Sequence, residues 1–185
     1  MGREIYNAAV EKIKDDYFID ECKSVFAATL IAKGKLEESS VLYNDFPSLP
    51  DLGREYDIQG NYVHNEKNVQ FIVFFEQWCP YCDRMMRRID NLYKQYDNIR
   101  IDFVGVTRFT KKGTKEKTED FLEKNGVSFP IIKEDGSAAA YFEVTGIPAV
   151  RLIFKSKLLW QGYIPSNLPV SRYMIEGIIK AQQSL

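Results

Sequence analysis

From Val69 to Phe75 the chain carries an apolar run, Phe71-Ile72-Val73-Phe74-Phe75, with no helical period. Such a run predicts a strand buried on both faces, the central strand of a sheet covered by helices. Upstream the pattern is helical. Ile5, Ala9 and Ile13 recur at i, i+4, and Cys22, Val25, Phe26 and Leu30 continue the stripe. A helix over 3–33, broken at most once, is expected, with Gly34 at its C′ position. Residues 35–52 hold Ser39-Ser40, Pro47 and Pro50 and read as a connector. Residues 55–66 read as a short polar hairpin turning at Gly60-Asn61.

Downstream of the apolar run the period switches. Met85, Met86, Ile89, Leu92, Tyr93 and Tyr96 mark one face of a helix that ends near Tyr96, with Pro80 in its first turn. Asn98 to Thr107 alternates as a strand. Thr114 or Thr118 caps a helix that stops at Asn125-Gly126. Val127–Ile132 is a short strand, Ser137–Val144 a short helix, and Gly146-Ile147-Pro148 a turn. Arg151–Phe154 and Leu158–Tyr163 form a hairpin around Lys155-Ser156-Lys157, and a last helix runs from about Val170 to Gln183. Strand–helix alternation closed by a hairpin predicts an α/β sheet flanked by helices.

Composition narrows the classes. Hydrophobic residues are 45% of the 185, enough for a core. The formal net charge of −1 gives no reason to expect nucleic acid as a partner. The longest helical apolar run, Val25–Ala32, is too short for a membrane span. Met1-Gly2-Arg3-Glu4-Ile5 is polar and does not read as a secretory signal.

The three cysteines are Cys22, Cys79 and Cys82. Three cannot pair fully, so no disulfide scaffold is expected. Cys79-Pro80-Tyr81-Cys82 closes the buried strand and opens a helix. At a helix N-terminus the free backbone N–H groups and the dipole favour a thiolate. The placement makes Cys79 the candidate exposed nucleophile and Cys82, one turn on, the more buried candidate resolving thiol. A zinc site would need two more ligands, and only Cys22 and His64 are on offer, both remote in sequence. No metal is expected, and no cofactor beyond a Cys79–Cys82 disulfide. Cys22 reads as a core thiol and His64 as a surface residue. The Lys111-Lys112 to Lys117 stretch reads as a solvated loop and helix start.

Phe74-Phe75-Glu76-Gln77-Trp78-Cys79-Pro80-Tyr81-Cys82 resembles the active-site segment of the thioredoxin superfamily, with its tryptophan before the first cysteine. Thr145-Gly146-Ile147-Pro148 resembles its second signature, the cis-proline loop that faces the cysteines. The segment from about Thr114 to Ile132, and the lead-in from Asp45-Phe46-Pro47 to Gly60, resemble features of the TlpA-like branch of thiol–disulfide oxidoreductases. The resemblance covers residues 46–185 and leaves 1–45 as an N-terminal helical extension. It implies a thioredoxin-like fold with a central mixed sheet. It also implies reduction or reshuffling of protein disulfides through a mixed disulfide, with a disulfide-forming oxidant or a non-catalytic binding module as alternatives. Implied partners are protein thiol or disulfide substrates and an upstream thiol donor. The implied compartment is extracytoplasmic, the bacterial periplasm, with the cytoplasm as the alternative.

The same resemblance makes Trp78, Pro80, Tyr81, Ile147 and Pro148 the residues that shape the site. The backbone beside Pro148 is where a substrate segment would add as a strand. Trp78 and Tyr81 fit a docking surface and simple packing equally well. The pattern departs from thioredoxin at Val73, where a buried acid stands six positions before the first cysteine. Glu76 is the nearby candidate for proton transfer, although a solvated loop carboxylate is the plainer expectation. Pro80-Tyr81 is the dipeptide of glutaredoxins.

Overall fold

The apolar run does form a strand with no exposed side: Val69–Phe74 (β2) is buried at every position in the computed structural model. The structure describes residues 16–43, 52–65, 68–96, 100–162 and 168–183. The helical expectation over 3–15 and the lead-in around Asp45-Phe46-Pro47 lie outside them. Before the sheet stand α1 (Asp16–Ala32), α2 (Leu36–Ser40) and a 3-10 turn at Val41–Tyr43. After them come β1 (Arg54–Gln59), β2, α3 (Pro80–Tyr96), β3 (Ile101–Thr107), α4 (Lys115–Asn125) and β4 (Ile131–Glu134). The chain continues with α5 (Ser137–Tyr141), β5 (Ala149–Phe154), β6 (Lys157–Gly162) and α6 (Leu168–Gln183).

Among the described residues six strands make one mixed sheet in the order β1-β4-β3-β2-β5-β6. β2, β3 and β4 are parallel, and β5 runs antiparallel to β2. Parallel neighbours need crossovers, and α3 and α4 supply them. Thr114 caps α4, its side chain accepting the Lys117 N–H, and Gly126 closes the helix in the left-handed region.

Three expectations are corrected. Residues 55–66 are not a hairpin: β1 pairs antiparallel with β4, Arg54 opposite Glu134. Its partner is far along the chain, so alternation followed by Gly60-Asn61 mimics a turn that is not made. The supposed connector holds α2, fixed by burial of Leu36 and by Ser39 Oγ donating to the Leu159 carbonyl at 2.7 Å. The strand expected over Val127–Ile132 starts at Ile131. Val127 is instead tied back to α4 through its N–H on the Leu122 carbonyl.

The N-terminal helices share the core of the sheet. Ala27, Ile31, Leu36 and Tyr43 belong to the same buried cluster as Phe71, Val104 and Ile153. α1 crosses α6 at close range: a Cβ on Gly177 would lie 2.0 Å from the Ile31 carbonyl oxygen. Only a residue without a side chain lets the two backbones approach so far. The Trp160 indole N–H donates to the Ser24 carbonyl at 3.0 Å, so α1 and α2 together cover the β6 edge. Cys22 is half-buried on α1, and exposed His64 pairs with Asp102 at 2.9 Å.

Candidate active site at the carboxyl ends of the parallel strands

Register brings three loops to one end of the sheet. β2 ends at Phe74, paired with Val106 of β3 on one side and Ala149 of β5 on the other. The cysteine loop therefore leaves β2 where the Ile147–Pro148 turn enters β5 and where the loop after β3 departs. Crevices outside the carboxyl ends of parallel strands are the usual ligand sites of such sheets.

Cys79 sits at the entry to α3. Its N–H donates to the Glu76 carbonyl at 3.1 Å, and its own carbonyl accepts the Cys82 N–H at 3.0 Å. Cys79 Sγ approaches the Ile147 carbonyl at 3.7 Å. The Ile147–Pro148 peptide is cis. Both cysteines are unpaired thiols, and Cys79 is not the exposed one expected: the Ile147 carbonyl lies over its sulfur and leaves it 4% exposed, against 0% for Cys82. Burial pushes the Cys82 thiol well above the ordinary thiol range. The backbone at Glu76 works against that shift, while Cys79 and the negative charge of Glu76 reinforce it. Pro80 is the first residue of α3, where its missing N–H costs no helix bond. Tyr81 is 79% exposed and Trp78 37% exposed beside the cysteines. Ile147 and Pro148 are half-buried opposite them.

Glu76 corrects the expectation of a solvated loop carboxylate. It is 3% exposed. One oxygen accepts the Arg108 N–H at 3.1 Å; the other accepts the Thr110 N–H at 3.1 Å and the Thr107 hydroxyl at 3.2 Å. Three donors from one segment surround this carboxylate, so it fastens the loop after β3 to the cysteine loop. Trp78 adds a second tie, its indole N–H on Thr110 Oγ1 at 3.0 Å. Lys111 adds a third, its ammonium 3.5 Å from the centre of the Trp78 ring. The fastened loop holds Phe109, Lys111 and Lys112 at positive φ, which costs each of these non-glycine residues on the order of 1 kcal/mol. Val73, at the position of the thioredoxin acid, is fully buried between Gly105 and Val150.

Sequence reasoning missed Thr107, Arg108, Thr110 and Glu134. A small cavity behind the site is lined by Glu76, Arg108, Glu134 and Ile147 among others. Glu134 ends β4, and one of its oxygens accepts the Gly136 and Ala138 N–H groups at 3.0 Å. The other lies 3.8 Å from the Arg108 guanidinium. Burial raises its pKa against the opposing pull of those amides and of Arg108. No local sequence signal marks these residues: Thr107 and Glu134 are placed by sheet register, and Arg108 and Thr110 by their amides on the Glu76 carboxylate.

A family model for the thioredoxin-like domain matches residues 57–171, more than half of the chain. The chain belongs to the thioredoxin-like family. Among curated relatives, this thioredoxin-like protein is 22% identical over 110 residues to sporulation thiol-disulfide oxidoreductase A of Bacillus subtilis strain 168. That match spans 58% of this chain and 67% of the relative. It is 29% identical over 66 residues to thiol-disulfide oxidoreductase ResA of Halalkalibacterium halodurans, 36% of each chain. Its fold is similar to the crystal structure of a thiol-disulfide isomerase from Corynebacterium glutamicum, with TM-score 0.64 and 16% identity, over 74% of this chain and 97% of that one. It is also similar to StoA from Bacillus subtilis, with TM-score 0.53 and 18% identity, over 60% and 83% of the two chains. No helix among the described residues is long and apolar enough to cross a membrane.

Proposed function

We propose that this thioredoxin-like protein is a thiol–disulfide oxidoreductase that reduces or reshuffles protein disulfides with the Cys79–Cys82 pair. The observation that carries the reading is the pair's position. Cys79 stands at the mouth of α3 with its sulfur against the Ile147 carbonyl, and Cys82 lies fully buried one turn on. The names of both curated relatives support the same class of chemistry.

In this reading Cys79, at the α3 N-terminus, attacks as a thiolate on one sulfur of a substrate disulfide. The substrate S–S bond breaks, a Cys79–substrate disulfide forms, and the departing thiolate takes a proton. Cys82 then gives up its proton and attacks Cys79 Sγ. The Cys79–Cys82 bond forms and the second substrate sulfur leaves as a thiolate that is protonated in turn. Two electrons pass from protein to substrate, and a thiol donor returns them. Glu76, a buried carboxylate whose own carbonyl accepts the Cys79 N–H, is the candidate acceptor for the Cys82 proton. Trp78, Tyr81, Ile147 and Pro148 form the surface on which the substrate segment lies. The site of action is extracytoplasmic, the compartment that the TlpA resemblance implies.

Reduction of insulin with a thiol donor tests the reading. The wild type is expected to accelerate it, Cys79→Ser to abolish the acceleration, and Cys82→Ser to accumulate a mixed disulfide. Equal rates for wild type and Cys79→Ser would overturn it. The reduction potential gives the direction: ~−270 mV marks a reductase, whereas ~−120 mV marks an oxidant.

A further inference from the structure

The loop after β3 does more than border the cysteines. Glu76 and Trp78 hold it in place, and its path brings Lys111 to the surface over Trp78, with Lys112 the next residue along the chain. Both lysines are exposed. Residues 108–120 carry five cations, Arg108, Lys111, Lys112, Lys115 and Lys117, against three carboxylates, Glu116, Glu119 and Asp120. The Arg108 guanidinium faces buried Glu134, Lys115 is paired with Glu119 at 3.7 Å, and the Lys117 ammonium donates to the Lys112 carbonyl. Among the described residues no carboxylate is paired with Lys111 or Lys112. The net charge of the whole chain is −1, so this excess of positive charge is local. The Lys111 ammonium lies over the indole face at 3.5 Å, and its remaining donors are free to turn outward.

We propose that Lys111 and Lys112 read an acidic side chain flanking the disulfide of the protein substrate, with Trp78 as the apolar seat between that charge and Cys79. The proposal rests on the reading of Cys79 as the nucleophile and adds to it a substrate class: disulfides in locally acidic sequence. An exposed cation–carboxylate contact is worth little in water, so the expected effect is about threefold per lysine at low salt. It falls as the Debye length shrinks.

Two short disulfide-linked peptides, one with glutamates and one with lysines beside the cysteine, distinguish the outcomes. The second-order rate constant for each is measured with the pre-reduced protein. Wild type is expected to prefer the acidic peptide by about tenfold in dilute buffer, and the preference should collapse near 1 M salt. K111E/K112E is expected to reverse the preference. K155E, in the β5–β6 turn at the opposite end of β5 from Pro148, is expected to retain it. Equal rates for both peptides with wild type overturn the proposal, as does a preference that survives in K111E/K112E. Failure of wild type to reduce either peptide overturns the redox reading itself, and the substrate class with it.

Discussion

Glu76→Gln is the most informative single change, because its cost follows from which atom faces which donor. Glutamine replaces one carboxylate oxygen by an NH2 group. With its oxygen turned to Thr107 and Thr110, the NH2 faces the Arg108 amide; flipped, it faces the Thr110 amide. In either orientation a backbone N–H loses its acceptor at a site where Glu76 is 3% exposed. An unsatisfied donor of that kind costs about 1–3 kcal/mol. Urea unfolding of the reduced protein measures it. With a slope of about 2 kcal/mol per molar, the midpoint is expected to fall by roughly 0.5–1.5 M at unchanged slope. By heat the loss amounts to about 2–4 °C per kcal/mol for a chain of this size. Glu76→Ala, which removes every acceptor, should lose about twice as much. An unchanged midpoint for Glu76→Gln would refute the reasoning, since it would mean that the carboxylate is solvated and the loop is held by other contacts.

Gly177→Ala should destabilise despite the better helix propensity of alanine. The new Cβ meets the Ile31 carbonyl, and forcing α1 from α6 costs about 1–3 kcal/mol beyond the ~1 kcal/mol gained in the helix; urea midpoints check it. Glu134 has a raised pKa because burial disfavours its charge, so the folded state holds its proton longer than the unfolded chain does. Its contribution to stability is therefore full in acid, below the ordinary 4.5, and is lost as pH rises through the folded value. Wild type should lose stability relative to Glu134→Gln as pH climbs above the ordinary carboxylate range, and parallel stability curves would contradict it. In a Cys22→Ser variant, which removes the half-buried third thiol, iodoacetamide should label Cys79 of the native reduced protein before Cys82. Cys82, fully buried and with its thiol pushed up by burial, should react only on unfolding; mass spectrometry of the labelled peptides decides.

What the sequence displayed and what it hid divide along a physical line. β2 was legible because a strand covered on both faces is apolar at every position, and α3 because Met85, Met86, Ile89 and Leu92 fall on one buried face. Thr114 and Gly126 were legible as caps because cap chemistry is local. The cysteine pair and the cis-proline turn stood out as motifs. Features set by distant partners did not show. β1 looked like half of a hairpin because nothing near it announces its pairing with β4. α2 is held by Leu36 in the core and by Ser39 on β6, so serines that suggest a loop become a buried anchor. Glu76 stands between Phe75 and Gln77 just past the end of a strand, where a carboxylate suggests a loop, and only the donors of residues 107–110 explain its burial.

The covered rim of β6 bears on how the protein behaves in a crowded solution. A strand with a bare margin is a template on which other chains can grow, and the sheet has two such margins. At β6, Ser39 occupies the Leu159 carbonyl, and α1 lies along Trp160. At β1, the exposed Arg54 and Glu55 place charge where an incoming strand would dock. One margin is roofed and the other is guarded by charge. Aggregation should therefore track the population of opened molecules, and the removal of α1 should convert an inert margin into a seeding one.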